Sequence, residues 1–203
     1  MPDDVLVQKK INSLPVKLRQ KINAYTNRED KILRLAGKLL LQKATDKLNT
    51  ADVFLLDEMT VDANGKPWLN NVFFSMAYTK NIAVCAVSAT GDIGIDIEKI
   101  EPINHLLYED YFTKSEWMKM NKSIDTLTNF YNFWTRKEAV LKACGQGIQS
   151  NLQLVDVVAD TVAINNKNYQ LQKIDILPEY SCHLASGVLA QTIEIGELNV
   201  FEM

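Results

Sequence analysis

Apolar residues near the start of the chain recur every three or four positions, a spacing typical of one face of a helix. Within residues 14–43 the pattern begins at Leu18 and Ile22, stops near Asn27 and then resumes. Asn27 and Asp30 are polar residues that can cap the N-terminus of a second helix. We therefore predict two helices in this segment, with a short break near Asn27.

Short runs of apolar, strand-favouring residues follow these helices. Turn residues separate the runs at 64–67 and 79–81, as expected between the strands of a small sheet. The predicted strands cover residues 53–56, 72–76, 82–87 and 94–97.

Residues 100–102, Ile-Glu-Pro, interrupt this pattern, because proline disfavours helix at the residue before it. A helix is predicted to begin after Thr113, where Glu116 completes the spacing of a capping box. Another is predicted from Phe130 to Cys144, ended by the glycines that follow it. Period-two runs then predict strands again. They cover residues 155–158, 162–164, 169–174, 183–189 and 193–201, with a hairpin turn at 165–168.

Helices followed by strands therefore occur twice, on either side of residues 100–102. This order predicts an α+β fold made of two similar α+β halves, residues 1–100 and residues 101–203. Because clefts between such halves are common places for ligands, we expect the functional site between them.

Composition and charge narrow the classes of function. Hydrophobic residues make up 47% of the chain, charged residues 23%, and the net charge is −3, which argues against a general nucleic-acid or anionic-membrane binder. The N-terminus, MPDDVLVQKK, lacks the pattern of a signal peptide, and no apolar run is long enough to cross a bilayer. We therefore expect a cytoplasmic protein that binds neither nucleic acid nor membrane.

The cysteines and histidines do not indicate a metal site or a catalytic site. Cys85, Cys144 and Cys182 are far apart and odd in number, and we interpret them as structural. His105 and His183 share no metal-ligand spacing with any cysteine, so a zinc site is not predicted.

Two carboxylates interrupt the apolar strand GIDIE at residues 94–98. Side chains two apart in a strand point to the same face, so Asp96 and Glu98 converge. Their repulsion raises the pKa of one acid unless a cation offsets it, and Mg²⁺ together with a phosphate would do so. The pentapeptide alone, however, favours a simpler interpretation, a strand with one solvated face.

A second cluster of charged residues lies in the predicted helix 130–144. Trp134, Glu138 and Lys142 follow one another at intervals of four, which places an aromatic ring, an acid and a base on one helix face. An exposed ion pair would explain Glu138 and Lys142 by themselves, although Trp134 indicates that the pair is partly covered. Near Asp96, Glu138 would be a third carboxylate for a metal ion.

Two motifs together resemble the signatures of the Sfp-type 4′-phosphopantetheinyl transferases. They are GIDIE at residues 94–98 and WTRKEAVLKACGQGI at residues 134–148. Weaker similarities are GKP at 65–67, YFTKSE at 111–116 and the strand around His183.

The resemblance implies a pseudo-two-fold pair of α+β halves with the active site in the cleft between them, so that a monomer holds the whole site. It also implies a Mg²⁺-dependent enzyme that uses coenzyme A. This enzyme would transfer the 4′-phosphopantetheine arm to a serine of an apo acyl or peptidyl carrier protein and release adenosine 3′,5′-bisphosphate.

Roles for individual residues follow from the same resemblance. Asp96, Glu98 and Glu138 would hold Mg²⁺ against the pyrophosphate of coenzyme A, and Glu138 would also be the base that activates the serine, directly or through a metal-bound water. Lys142 would stabilise charge on the phosphates and protonate the leaving group. Such positioning and charge neutralisation are what phosphoryl transfer requires.

Other residues match the part of the family that binds the nucleotide. Lys66 and Pro67 would line its pocket, and Lys66 would meet the 3′-phosphate. Lys21 would have the same role in the first predicted helix. Alternatives to Lys21 are the nearby cations Lys17, Lys31 and Arg34.

The chain departs from the family at Ala77-Tyr78-Thr79, which replaces a Ser-His-Ser type motif that contacts the 3′-phosphate. Leu33 likewise stands where relatives often have arginine. Tyr78 keeps one hydrogen-bond donor, but a hydroxyl and an imidazole are lost. We therefore expect this protein to prefer coenzyme A over 3′-dephospho-coenzyme A by less than is usual.

These departures leave two other functions open. One is a degenerate homologue that binds a carrier protein or nucleotide without catalysis. The other is a Mg²⁺-dependent hydrolase of nucleotides or phosphodiesters that uses the same acids.

Residues 111–132 combine basic and apolar side chains that would suit an acidic carrier helix. An amphipathic helix with a solvated lysine face explains them equally well. The residues are Lys114, Met118, Lys119, Met120 and Lys122, with both methionines expected at the surface.

Overall fold

The computed structural model describes residues 2–48, 56–61, 66–145, 152–187, 193–199 and 201–202. The helices in these ranges are α1 (Asp4–Asn12), α2 (Val16–Asn23), α3 (Arg28–Asp46), α4 (Lys114–Asn121) and α5 (Thr126–Cys144). The strands are β1 (Thr60–Val61), β2 (Pro67–Trp68), β3 (Phe73–Thr79), β4 (Ile82–Ser88), β5 (Ile93–Lys99), β6 (Thr161–Ile164), β7 (Lys167–Lys173) and β8 (Tyr180–Ser186).

The helices agree with the sequence patterns where a pattern was present. The Asn27 side chain accepts from the amides of Glu29 and Asp30 at the start of α3, as predicted. Thr113 and Glu116 form the predicted capping box of α4, and Gly145 ends α5 in the left-handed conformation with φ 73°. Helix α1 was not predicted; an Asp3 cap begins it, and Val7 and Ile11 are its buried residues.

The described strands form three sheets, β1-β2, β3-β4 and β5-β8-β7-β6, and strand β5 joins the last two. It is an edge of the sheet β5-β8-β7-β6, where it pairs antiparallel with β8. On its other side it lies beside β3 of the hairpin β3–β4: Ser75 Oγ accepts from the Ile95 amide at 3.1 Å, and Thr79 Oγ1 from the Lys99 amide at 3.3 Å. The α+β class is confirmed, while the boundary at residue 100 stays a prediction.

Hydrophobic packing places helices on the β3–β4 hairpin and on the four-stranded sheet. The N-terminal helices α1, α2 and α3 share a core with Phe74 of β3. Residues Ile95 and Ile97 pack with Cys182 and Leu184 of β8 and with Ala77 of β3, and α5 covers the opposite face of the β5–β8 pair. Within the described ranges, no helix is long and apolar enough to cross a membrane.

Two strand predictions are wrong. Residues 155–158 form no strand because side chains take up their backbone groups: Glu116 accepts from the Val157 amide and Arg136 donates to the Val157 carbonyl. Residues 193–199 also form no strand. None of the described strands pairs with this segment, and its Ile195 is 61% exposed.

The remaining differences are small. The hairpin between β6 and β7 turns on Asn165 and Asn166 alone, which both have positive φ, while Lys167 already belongs to β7. Of the predicted strand 53–56, only Leu56 lies among the described residues, and it begins a short 3₁₀ turn. Residues 64, 65, 146 and 147 of the predicted turns lie outside the described residues.

Candidate active site

The two acids of GIDIE lie on the face of β5 that α5 covers. Asp96 is opposite His183 of β8 and Glu98 is opposite Ser181, and the hydroxyl of Thr135 on α5 is within 2.9 Å of both β8 side chains. Asp96 is only 5% exposed. The two acids share one face as predicted, but a helix covers it, so the interpretation as a solvated face is wrong for Asp96.

Gly94 explains how close α5 comes to this strand. A Cβ atom at Gly94 would lie 2.0 Å from the carbonyl oxygen of Ala139 and 2.4 Å from the amide nitrogen of Ala143. Only glycine therefore allows the backbones of β5 and α5 to touch. Since Glu138 and Lys142 come directly before Ala139 and Ala143 in the chain, this contact also sets their distance from Asp96.

We expect Gly94→Ala to lower the free energy of unfolding by roughly 3 kcal/mol, because the new methyl group forces two backbones apart. Chemical denaturation followed by circular dichroism measures the change. Gly196→Ala is the matched control, since its Cβ would meet only the Lys47 ammonium at 3.7 Å. Equal stability of the two variants would contradict the close approach.

Lys142 connects the helix to the strand. Its Nζ donates to Asp96 Oδ1 at 2.6 Å and to the Ile95 carbonyl at 3.3 Å. Among the described residues, the ion pair that Lys142 forms is thus with Asp96 on another element. The pair with Glu138 that the helix spacing suggested does not form, although Glu138 is covered, being 5% exposed.

Burial raises the pKa of all three acids, and repulsion from Asp96 adds to this at Glu98 and Glu138. Burial raises the pKa of Asp96, and the Lys142 charge partly opposes this. Burial and then the charge of Asp96 raise the pKa of Glu98 to about 7 and that of Glu138 to about 7. The acids are therefore close enough to repel one another, and an additional cation would stabilise their ionised forms.

The acids fit a Mg²⁺ ion that a phosphate helps to bind. Asp96 Oδ2 is buried and has no hydrogen-bond partner, which leaves a carboxylate oxygen available. Among the described residues, no group of three or more His, Cys, Asp or Glu side chains is arranged to hold a metal ion. Mg²⁺ commonly takes one or two carboxylates and completes its shell with water and substrate phosphates, which matches such a partial ligand set.

A cavity of about 470 Å³ opens beside Lys142. Its charged lining residues in the described ranges are all cations, and the remainder is largely apolar. The cations are Lys21, Arg34, Lys38, Lys66 and Lys142; apolar and aromatic residues include Ile22, Tyr25, Pro67, Phe74 and Tyr78. Such a lining suits an anionic ligand that also carries an apolar or aromatic group.

Lys66 ties this cavity to the end of α5. Its Nζ donates to the carbonyls of Lys142 at 2.7 Å and Ala143 at 3.1 Å. These carbonyls belong to the last turn of the helix, where a cation is favoured by the helix dipole. The GKP segment is therefore held against the same helix that carries Glu138 and Lys142.

Tyr78 is packed between helix α3 and the cavity. The Arg34 guanidinium lies over its ring, 4.2 Å from the centroid, and its hydroxyl donates to Met76 Sδ at 3.4 Å. A Cβ atom at Gly37 would lie 2.3 Å from that hydroxyl, so glycine in α3 makes room for the ring. Burial raises the pKa of Tyr78 to about 12, which keeps it neutral.

The structure thus brings together most of the predicted site residues. Lys21, Lys66, Pro67, Tyr78 and Lys142 line one cavity. Asp96, Glu98 and Glu138 lie beside it: Asp96 forms an ion pair with Lys142, whose charge also acts on Glu98 and Glu138. Of the three alternatives to Lys21, Arg34 lines the cavity, whereas Lys17 and Lys31 are not among its described lining residues.

Sequence reasoning missed Lys38. It lines the cavity one helical turn after Arg34, and that spacing of four on a helix was the signal that could have found it.

For one residue of segment 111–132, Met120, the predicted position at the surface is wrong. Met120 is fully buried with Phe112 and Phe130, because it lies on the inner face of α4. Met118 is 56% exposed. The exposed cations around it are Lys114, Lys119 and Lys122.

Comparisons with known proteins agree with the two motifs. Residues 92–192 match the family model described as the 4′-phosphopantetheinyl transferase superfamily. The chain is 30% identical over 190 residues to the 4′-phosphopantetheinyl transferase gsp of Aneurinibacillus migulanus, covering 88% of this chain and 79% of that protein.

Two further likenesses are weaker. The 4′-phosphopantetheinyl transferase Sfp of Bacillus subtilis is 28% identical over 147 residues, 68% of this chain and 63% of that protein. A solved structure, the holo-[acyl-carrier-protein] synthase of Thermotoga maritima, is similar with a TM-score of 0.37 and 16% identity, over 47% of this chain and 61% of that one.

Proposed function

This chain belongs to the 4′-phosphopantetheinyl transferases, a family of enzymes, and we propose the reaction that its site performs. It transfers the 4′-phosphopantetheine arm of coenzyme A to a serine hydroxyl of an apo acyl or peptidyl carrier protein. Adenosine 3′,5′-bisphosphate is the second product.

One observation carries this proposal: Lys142 both pairs with Asp96 and lines the cationic cavity. An acid cluster and a cavity lined by cations therefore meet at one side chain. Coenzyme A has the matching chemistry, because it carries a pyrophosphate and, beyond it, an adenosine with a further phosphate. The pyrophosphate would lie at Lys142, and the nucleotide in the cavity beside Lys21, Lys66, Pro67 and Tyr78.

Asp96, Glu98 and Glu138 are the residues that would hold Mg²⁺. When bound, this ion would neutralise negative charge on the pyrophosphate and orient it. The unpartnered Asp96 Oδ2 supports the assignment, as does the repulsion among the three acids.

The chain's own residues supply the proton transfer and the remaining charge. Glu138 accepts the proton of the serine hydroxyl. The serine oxygen bonds at the same time to the phosphorus that carries the pantetheine arm. The bond from that phosphorus to the bridging oxygen breaks, and its electron pair leaves with adenosine 3′,5′-bisphosphate. Lys142 stabilises the charge on this leaving oxygen and can donate a proton to it.

The carrier protein would dock on the surface near α4. Lys114, Lys119 and Lys122 would face an acidic carrier helix, and Met118 supplies an exposed apolar contact. Leu106 and Leu107, which are 61% and 76% exposed, extend the apolar area. We propose a monomer in the cytoplasm as the acting form.

Incubation with coenzyme A, Mg²⁺ and an apo carrier protein tests the reaction. Intact-mass spectrometry is expected to show the carrier gaining one phosphopantetheine group, and a carrier whose serine is replaced by alanine should gain none. Carrier or nucleotide binding without a mass gain would instead identify a non-catalytic homologue. Cleavage of coenzyme A without carrier would identify a hydrolase.

A further inference from the structure

Lys38 is one of the cations that line the cavity. It is partly buried on α3, and its Nζ donates to Met76 Sδ at 3.8 Å. A thioether sulfur is a weak acceptor for an ammonium group. Among the described residues, no carboxylate lies within ion-pair distance of Lys38 or lines the cavity that it faces.

The groups around Lys38 add positive charge rather than offset it. Burial, with smaller contributions from Arg34 and Lys21, lowers its pKa to about 8. Cys85 also faces it, but burial raises the pKa of that thiol to about 12, so the thiol is neutral. Tyr78 is neutral for the same reason. The described part of the chain therefore holds three neighbouring cations without a negative partner.

The three cations lie in a part of the cavity away from the acid cluster. Lys21, Arg34 and Lys38 belong to α2 and α3, whereas Lys142 and the carbonyls bonded to Lys66 belong to α5. A ligand that spans the cavity meets cations at both ends. The end formed by α2 and α3 suits a phosphate monoester, because cationic donors form strong charge-assisted hydrogen bonds with its oxygens.

We propose that Lys38 is a specificity-determining residue that binds the 3′-phosphate of coenzyme A together with Arg34 and Lys21. This inference rests on the proposed function, since it takes coenzyme A as the ligand. It differs from the expectation drawn from Ala77 and Tyr78, which foresees only a small preference for the 3′-phosphate. Lys38 supplies a donor and a positive charge that this expectation did not include.

Binding of coenzyme A and of 3′-dephospho-coenzyme A to Lys38→Met tests the proposal by calorimetry. We expect the variant to bind coenzyme A roughly tenfold more weakly, the usual effect of losing one charge-assisted hydrogen bond, and to bind 3′-dephospho-coenzyme A as before. Lys43→Met, an exposed lysine of the same helix, should change neither affinity. Lys38→Arg should restore most of the preference.

Proton uptake gives a second readout. With a pKa of about 8 in the free protein, Lys38 is half-protonated at pH 8, and a bound phosphate dianion raises that pKa. Wild type should therefore take up about half a proton more with coenzyme A than with 3′-dephospho-coenzyme A at pH 8. Calorimetry in buffers of different ionisation enthalpy measures this difference, which Lys38→Met should lose.

Equal weakening of both ligands by Lys38→Met would overturn the proposal, because it would place Lys38 at a shared part of the ligand. Unchanged binding of coenzyme A by a folded variant would overturn it as well. Neither result affects the proposed function if wild type still modifies the carrier. Conversely, absence of carrier modification by a wild-type protein that binds coenzyme A through Lys38 would refute only the transfer reaction.

Discussion

Glu138→Ala is expected to reduce carrier modification by roughly a hundredfold or more while the protein stays folded. The substitution removes a proposed Mg²⁺ ligand and the proposed base, and loss of one such electrostatic contact to a transition state has effects of this size. Asp96→Ala should do the same, since it removes the carboxylate paired with Lys142. The measurement is the initial rate of mass gain of the carrier at saturating coenzyme A and Mg²⁺.

Although Glu138→Ala should lose activity, its free energy of unfolding should not be lower than that of wild type. Burial and the neighbouring acids raise the pKa of Glu138 to about 7, above its unfolded value near 4.3. Between these two pKa values Glu138 is ionised in the unfolded chain but protonated in the folded protein, so the free energy of unfolding falls as pH rises through this range. Removal of the carboxylate abolishes that loss. Denaturation curves of wild type and variant at pH 8 check this.

Asp175→Ala is the matched control for the acid substitutions. Asp175 is an acid on the surface that pairs with Lys173 at 2.9 Å, with its side chain 86% exposed. We expect this variant to retain wild-type activity. Near-normal turnover of Glu138→Ala or Asp96→Ala in Mg²⁺ would refute the site assignment.

Lys137→Met is expected to cost about 3 to 5 kcal/mol of folding free energy, the usual effect of breaking a buried ion pair. Lys137 Nζ lies 2.8 Å from Glu116 Oε2, and both side chains are fully buried. Lys137 also donates to the carbonyls of Leu152 and Val155. The substitution would leave a buried Glu116 charge and these carbonyls without their partner.

A second substitution separates charge from packing. In Glu116→Gln with Lys137→Met, no buried charge remains, so the double variant should be more stable than Lys137→Met alone. Lys173→Met, which removes an exposed ion pair, should change stability by less than about 1 kcal/mol. If Lys137→Met were no more harmful than Lys173→Met in urea denaturation, the pair would not hold α4 to α5.

Local signals in the sequence were sufficient for most elements. Asn27 as a helix cap, the capping box of Thr113 and Glu116, and Gly145 as a helix end depend on residues a few positions apart. Alternation alone was insufficient at 155–158 and 193–199, because a strand also needs a neighbouring strand edge. At 155–158 the charged side chains of Glu116, Arg136 and Lys137 bind the backbone instead.

For the site as well, sequence spacing predicted the local arrangement of side chains but not the contacts between elements. From the sequence alone, the spacing of two in GIDIE placed Asp96 and Glu98 on one strand face, and the spacing of four placed Glu138 and Lys142 on one helix face. Both follow from backbone geometry, which repeats over a few residues.

Only the tertiary structure decided that Lys142 pairs with Asp96, that Gly94 touches α5, and that Lys38 faces the cavity. These facts depend on contacts between residues far apart in the chain. Such contacts are set by the packing of whole elements, which the repeat of a single helix or strand does not contain.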